Sequence, residues 1–316
     1  MCVTCGCPNG SQATIIDPET EEIQPIAAGS PSHVLPDGTV VVHTHYDQGH
    51  DHGHDHGHDH GHNHQHSAHS HDHHSHSSDR PANDSAIPTP QIHANLHGTT
   101  VELEQSLLAK NNSIAAHNRA TFKSKNILAL NLVSSPGSGK TTLLTRTIQD
   151  LKGEIPISVI EGDQATANDA DRIRETGCPV VQINTGTGCH LEADMIDRAV
   201  QTLQPPDRSI VMIENVGNLV CPALFDLGEA AKVAILSVTE GEDKPIKYPH
   251  MFRASQVMLL TKIDLLPYVP FQVDRFLAYA REVNPHIEIF SVSAQNGAGL
   301  LAWYEWLRWQ MRSRRH

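Results

Sequence analysis

Residues 131–142 read Asn-Leu-Val-Ser-Ser-Pro-Gly-Ser-Gly-Lys-Thr-Thr, and the apolar run Ile127 to Val133 leads directly into them. A buried strand that ends in such a loop and continues as a helix leaves one economical fold, an α/β domain built around an anion site. Gly137, Ser138 and Gly139 let successive backbone N–H groups point into one concavity, and the positive end of the helix opening at Thr141 faces the same place. The segment Gly137 to Thr142 is therefore expected to hold a triphosphate. Lys140 would reach the β- and γ-phosphates, and the Thr141 hydroxyl would ligate Mg²⁺, a cation that favours oxygen donors. Ser134 stands where the pattern G-x-x-x-x-G-K-[ST] has its first glycine. Serine is small enough for the strand-to-loop turn.

Charge is distributed unevenly. The first ninety residues hold twelve of the 36 acidic residues and a single basic one, Arg80, so most of the formal net charge of −13 lies there. The remainder is nearly neutral and has no basic stripe, which argues against nucleic acid as a partner. No apolar run approaches the ~18 residues of a membrane span, and the amino terminus lacks the apolar core of a signal peptide. The expected location is cytoplasmic. In that compartment six cysteines read as thiolates or metal ligands rather than a disulfide framework.

Residues 43–76 contain sixteen histidines, with Asp-His-Gly-His repeated from Asp51 to His62. Without apolar side chains to offset ordering entropy this tract is expected to be disordered, yet its imidazoles are good donors to Ni²⁺, Cu²⁺ or Zn²⁺. Cys2, Cys5 and Cys7 form C-x-x-C-x-C, close enough for three sulfurs to meet one soft or borderline ion without help from a fold. The predicted organisation is a disordered metal-binding tail over residues 1–98, made of the cysteine motif 2–7, the histidine tract 43–76 and a linker 77–98, followed by a nucleotide-binding domain over 99–316. A helix is predicted over Val101 to Phe122. Beyond it strands and helices alternate, and the strands are runs of Val and Ile without polar alternation, as in a mostly parallel sheet flanked by helices on both faces.

Leu259-Leu-Thr-Lys-Ile-Asp264 follows a late strand and fits the guanine-reading pattern [NT]-K-x-D. The Asp264 carboxylate can accept from both N1–H and the exocyclic amine of guanine, a pair that adenine lacks. Lys262 would lay its stem along the base. Thr261 replaces the commoner Asn, which weakens a tie to the phosphate loop, and Ser293 with Ala294 resembles the loop that completes guanine binding. GTP is the expected nucleotide. The second and fourth strands of this domain end at Glu161-Gly-Asp163 and Ile213-Glu214-Asn-Val-Gly217. Asp163 and Glu214 are thereby placed beside the phosphates as Mg²⁺ ligands, with Asp163 also able to orient the attacking water. No glutamine or arginine finger is evident, so slow intrinsic hydrolysis is expected. Cys189 and His190 precede one helix, and Cys221 follows the Glu214 turn. Three soft or borderline ligands thus lie on loops that sense the γ-phosphate. Three leave a site incomplete, and a second copy of the chain across a twofold axis could supply the rest.

These motifs together resemble the HypB family of SIMIBI-class P-loop GTPases. The resemblance is carried by Met1 to Cys7, the histidine tract, Ser134 to Thr141, Glu161 to Asp163, Thr187 to His190, Glu214 to Pro222 and Thr261 to Asp264. It implies a GTP-dependent dimer with a tight nickel site at the amino-terminal cysteines and a weaker nickel or zinc site at Cys189, His190 and Cys221. It further implies a small zinc-containing HypA-type partner and delivery of nickel to the large subunit of [NiFe] hydrogenase. Two alternatives are a urease-type nickel GTPase, which would lack the amino-terminal cysteine motif, and a nickel or zinc storage protein with a vestigial GTPase, against which Lys140, Thr141 and Asp264 argue.

Overall fold

The computed structural model describes residues 14–16, 23–25, 32–34, 40–42, 91–164 and 168–314. In chain order the strands are β1 (Thr14–Ile16), β2 (Ile23–Pro25), β3 (Ser32–Val34) and β4 (Val40–Val42), and the long helix α1 (Gln91–Ser124) follows. Then come β5 (Leu128–Ser134), α2 (Lys140–Leu151), β6 (Ile157–Asp163), α3 (Asn168–Arg174), β7 (Val180–Asn184), α4 (Ala193–Leu203) and β8 (Ile210–Gly217). The chain continues through β9 (Ala231–Ser237), α5 (Lys244–Lys247), α6 (Pro249–Ala254), β10 (Val257–Thr261), α7 (Val273–Val283), β11 (Glu288–Ser291) and α8 (Leu300–Ser313).

The main sheet has the order β11-β10-β9-β5-β8-β6-β7-β1-β2. Every pairing from β11 to β7 is parallel. The strands β5 and β9 are buried at every position, the pattern of a sheet covered on both faces. Alternation along β5 sorts the core into layers. Leu128, Leu130 and Leu132 pack with Leu144 and Ile148 of α2 and with Trp303 and Leu307 of α8. On the opposite face Ala129 joins Phe122 of α1 and Ile196 and Ala199 of α4, while Val133 joins Phe252 of α6 and Phe276 of α7. All the parallel strands end at one edge of the sheet, where loops can converge on a ligand.

The strands and helices predicted beyond residue 126 are all present, with ends shifted by a few residues. The helix predicted from Val101 starts at Gln91, inside the segment read as linker. No strand was predicted before Ile127, yet β1 pairs antiparallel with β7, setting Thr14 opposite Asn184 and Ile16 opposite Gln182. Ile15 is 5% exposed and enters the cluster of Phe122, Ile183 and Leu191. A three-residue strand takes its order from the ladder it joins, so its own composition carries little signal.

The chain divides into two compact units, and β1, β2 and residues 101–316 belong to the first. The second, residues 30–100, contains the antiparallel pair β3–β4. Cys2, Cys5, Cys7 and the tract 43–76 lie outside the described residues. No helix among the described residues is long and apolar enough to cross a membrane.

Candidate functional site

Between β5 and α2 the loop takes the conformation that its glycines permit. Gly137 and Gly139 adopt φ of 75° and 89°, the left-handed region that side chains disfavour. Ser134 ends β5 as a buried strand residue, so the missing first glycine removes nothing the backbone needs here. The loop floors a cleft of about 550 Å³ whose walls include Glu161, Asp163, Gly217 and Lys262, a size suited to a nucleotide.

Glu214 of β8 lies behind the wall of this cleft and engages two of its lining residues, Lys140 and Thr141. It is fully buried, and its Oε1 accepts hydrogen bonds from Lys140 Nζ and from Thr141 Oγ1, the latter at 2.6 Å. One carboxylate thus engages both side chains expected to meet phosphate and metal. Glu161 stands opposite Glu214 in the β6–β8 ladder and is 2% exposed. Burial, reinforced by Glu214, pushes its carboxyl up to about 9, so it is protonated at neutral pH. Glu161 Oε2 and Glu214 Oε2 are buried without a hydrogen-bond partner. Orphaned oxygens beside the Thr141 hydroxyl, with Asp163 at the end of the same strand as Glu161, form a donor set that fits a hard divalent cation. The sequence motif Glu161-Gly-Asp163 assigns no role to Glu161 itself. Its signal was an acidic residue one step inside an otherwise apolar strand.

The base-reading side is stitched to the phosphate loop. Thr261 Oγ1 donates to the Ser138 carbonyl at 2.5 Å, and Lys262 Nζ donates to the Gly137 carbonyl at 2.7 Å. The tie that Thr261 was expected to weaken is therefore made by its hydroxyl. Asp264 Oδ1 accepts from Ser293 Oγ at 2.5 Å, so Asp264 and the Ser293–Ala294 loop meet, and Arg146 of α2 holds that loop through the Ala294 carbonyl at 2.9 Å.

The ligating atoms of Cys189, His190 and Cys221 lie within 4.8 Å of one another. Two thiols and an imidazole are a donor set for a soft or borderline ion. Each ligand is placed by a separate device. Cys189 follows a turn closed by Gly188 N–H to the Thr185 carbonyl at 2.9 Å, and Thr185 N–H donates to the Asp163 carbonyl at 2.8 Å. His190 stacks on Phe225 with ring centroids 3.9 Å apart. The Cys221 turn is held from below by buried Lys232, whose ammonium donates to the carbonyls of Pro222 at 2.6 Å and Phe225 at 3.1 Å. Asn215, one residue past Glu214, accepts from Leu191 N–H at 3.2 Å and donates to Asn131 of β5 at 3.1 Å. Helix α1 completes the frame: Asn118 Nδ2 donates to the carbonyls of Ala193 and Leu227, and Arg119 makes a two-pronged contact with Asp226 at 2.6 and 2.8 Å. None of these supports was predicted, although a lysine inside an apolar strand was a visible anomaly.

The remaining described cysteine is different. Cys178 is buried, its Sγ donates to the Ile157 carbonyl at 3.1 Å, and burial pushes its thiol up to about 12. The expectation that the cysteines serve as thiolates or ligands fails for this residue, because the apolar core disfavours the charged form.

Residues 128–291 match the family described as CobW/HypB/UreG, nucleotide-binding domain. The hydrogenase maturation factor HypB of Escherichia coli K12 is 61% identical over 210 residues, covering 66% of this chain and 72% of that protein. The hydrogenase/urease maturation factor HypB of Helicobacter pylori 26695 is 38% identical over 214 residues, 66% of this chain and 88% of that one. Among solved structures, HypB from Archaeoglobus fulgidus is similar with a TM-score of 0.61 at 36% identity, covering 64% of this chain and 99% of that one. HypB from Helicobacter pylori in complex with nickel also gives a TM-score of 0.61, at 38% identity and covering 65% and 96% of the two chains. The chain belongs to the HypB family of P-loop nucleotide-binding proteins.

Proposed function

We propose that the chain is a GTP-hydrolysing metallochaperone that handles nickel for the maturation of [NiFe] hydrogenase, with GTP state and metal affinity coupled through the loops that follow β7 and β8. The observation that carries this reading is the Cys189, His190 and Cys221 cluster within 4.8 Å, whose Cys189 follows a turn that is hydrogen-bonded from Gly188 to Thr185 and from Thr185 to the backbone of Asp163. A metal cluster and a phosphate-sensing acid that share a turn cannot rearrange independently.

Gly137 to Thr142 cradle the triphosphate, Lys140 neutralises its β- and γ-oxygens, and Asp264 with Lys262, Ser293 and Ala294 holds guanine. Bound Mg²⁺ would supply positive charge between the phosphates, held by Thr141, Asp163 and Glu214. As nucleotide enters, Glu214 gives up Lys140 and Thr141, and Asp163 turns a water toward the γ-phosphate. The Glu214 backbone leads through Asn215 to Leu191 and through Val220 to Cys221, so its displacement reaches both arms of the cluster. Nickel is the cargo and zinc an alternative occupant. Homologues named as hydrogenase maturation factors support a hydrogenase as recipient. In this reading its large subunit receives the nickel, a HypA-type protein is the relay, and a GTP-linked homodimer in the cytoplasm is the working form. In this reading residues 99–316 are the catalytic domain and residues 1–98 a metal-binding tail.

The test is reciprocity. Ni²⁺ affinity of the full chain with Cys2, Cys5 and Cys7 changed to Ser and residues 43–76 deleted is measured with GDP and with a non-hydrolysable GTP analogue. GTP-analogue affinity is then measured with and without Ni²⁺. Linkage requires the same factor in both experiments, about 5- to 150-fold for a typical coupling. Equal Ni²⁺ affinities in both nucleotide states would reduce the cluster to a structural site.

A further inference from the structure

Helix α2 opens at Lys140 of the phosphate loop and carries Arg146 six residues later, about 9 Å along its axis. The Arg146 guanidinium is held at two points. Its Nε donates to Asp150 Oδ2 at 2.8 Å, and its Nη1 donates to the Ala294 carbonyl at 2.9 Å. The same Asp150 oxygen accepts from the hydroxyl of Tyr304, a buried residue of α8, at 2.8 Å. Nη2 lies against Gly297, where an added methyl would stand 3.3 Å from it and where φ is 84°. An exposed Arg–carboxylate pair one helical turn apart is ordinarily a minor stabiliser. This one is braced from a second helix and aims its remaining donor at a loop 148 residues away in sequence.

Ala294 is thereby fixed from both sides. The peptide before it is set by the Ser293 carbonyl, which accepts from Gly297 N–H at 3.0 Å, and the peptide after it is set by Arg146. A trans peptide points its N–H opposite its C=O, so the Ala294 N–H is turned away from Gly297. That N–H has no partner among the described residues. Ser293 Oγ meanwhile braces Asp264 at 2.5 Å. We propose that Arg146 is the positioning residue that sets the base selectivity of the site: by fixing Ala294 it presents the Ala294 N–H to O6 of the purine whose N1–H and 2-amine meet Asp264. This deepens the guanine-nucleotide reading above and rests on it.

A purine with an amine at position 6 offers a donor where guanine offers an acceptor, and a fixed N–H opposes it. Once the Ala294 carbonyl is released, the peptide that follows can turn and accept from such an amine. Arginine is suited to the task because its planar fork meets Asp150 and Ala294 together, whereas the ammonium of lysine has no fixed fork to bridge them.

The experiment uses the full chain with Mg²⁺ and measures the affinities of three diphosphates by competition: GDP, inosine diphosphate and 2,6-diaminopurine riboside diphosphate. Inosine keeps O6 and N1–H but lacks the 2-amine, and diaminopurine keeps the 2-amine but carries an amine in place of O6. In Arg146→Met, GDP and inosine diphosphate are each expected to weaken about tenfold, the value of one well-placed hydrogen bond and its geometry, while the diaminopurine nucleotide stays within about twofold of wild type. Arg146→Lys keeps the charge and secures the measurement should the Met variant fail to fold. It is expected to show the same pattern, because it does not bridge the two oxygens. An equal loss for all three nucleotides, or no loss for any, overturns the assignment. A loss for GDP that inosine diphosphate does not share would place the effect at Asp264 and overturn it as well. Wild-type protein that binds the diaminopurine nucleotide as tightly as GDP would overturn the guanine reading itself.

Discussion

Glu161 is an acid kept neutral by its neighbours, and this sets a pH signature. Its carboxyl lies near 9 in the folded protein, raised by burial and by Glu214, against an unfolded value near 4.3. A group raised on folding contributes stability that is fully present below its unfolded value and is lost as pH rises through its folded value. The nucleotide-free protein should therefore lose stability between about pH 4.5 and 9. Glu161→Gln keeps the shape without the ionisation, so thermal unfolding should show it more stable than wild type by at least about 1 kcal/mol at pH 8, with the gap closing at pH 5. A gap equal at both pH values would remove the protonated-acid assignment. At the other end of the cleft, Asp264 is braced by Ser293 at 2.5 Å, which fixes its carboxylate toward a base. Asp264→Asn puts a donor where guanine also donates, so competition binding should show preference moving from guanine toward xanthine nucleotide by about tenfold or more. Unchanged selectivity would place the base elsewhere.

At the scale of elements, β9 carries an unusual burden. Lys232 is 5% exposed in a strand otherwise made of Ala, Val, Ile, Leu and Ser, and its ammonium is committed to the turn that bears Cys221. Its carboxylate neighbour, Glu229, lies 3.7 Å away with its side chain 7% exposed. Lys232→Met strands that carboxylate, and urea unfolding should register a loss of about 3–5 kcal/mol. Adding Glu229→Gln should restore most of the stability. Metal affinity at the cluster should stay low in both variants, because neither holds the Pro222 and Phe225 carbonyls. Recovery of metal affinity in the double variant would mean that the turn holds itself. The same paragraph of chain shows what sequence could and could not disclose. The buried strands and amphipathic helices were legible because runs such as Leu259-Leu260 and the 3.6-residue spacing of α4 report their own environment. Short α5 and α6, each opened by a proline at Pro245 and Pro249, are too brief to build a period. β1 has three residues and a partner strand more than 160 residues away, so nothing local announces it. In the site the phosphate and base loops were legible because their chemistry fixes residue type. Glu161, Asn215 and Lys232 were not, because their roles arise from pairings between β6, β8 and the β9 turn.

For the molecule as a whole, the sheet is extended past β7 by a piece of the tail, β1 and β2. Trimming the chain to residues 99–316 would remove the histidine tract and the amino-terminal cysteines, and β1 and β2 with them. The outer N–H and C=O groups of Val180 to Asn184, with four buried residues among the five, would then become an exposed edge that can template pairing with another chain. The trimmed protein is expected to self-associate by edge-to-edge strand addition, and a sedimentation experiment should find that association insensitive to nucleotide, whereas a dimer built on the switch loops answers to GTP. A trimmed protein that stays monomeric without GTP would show that the edge needs no cover. The tail, to which composition assigns only cargo, would on this account also be a guard against fibrous assembly of the domain it precedes.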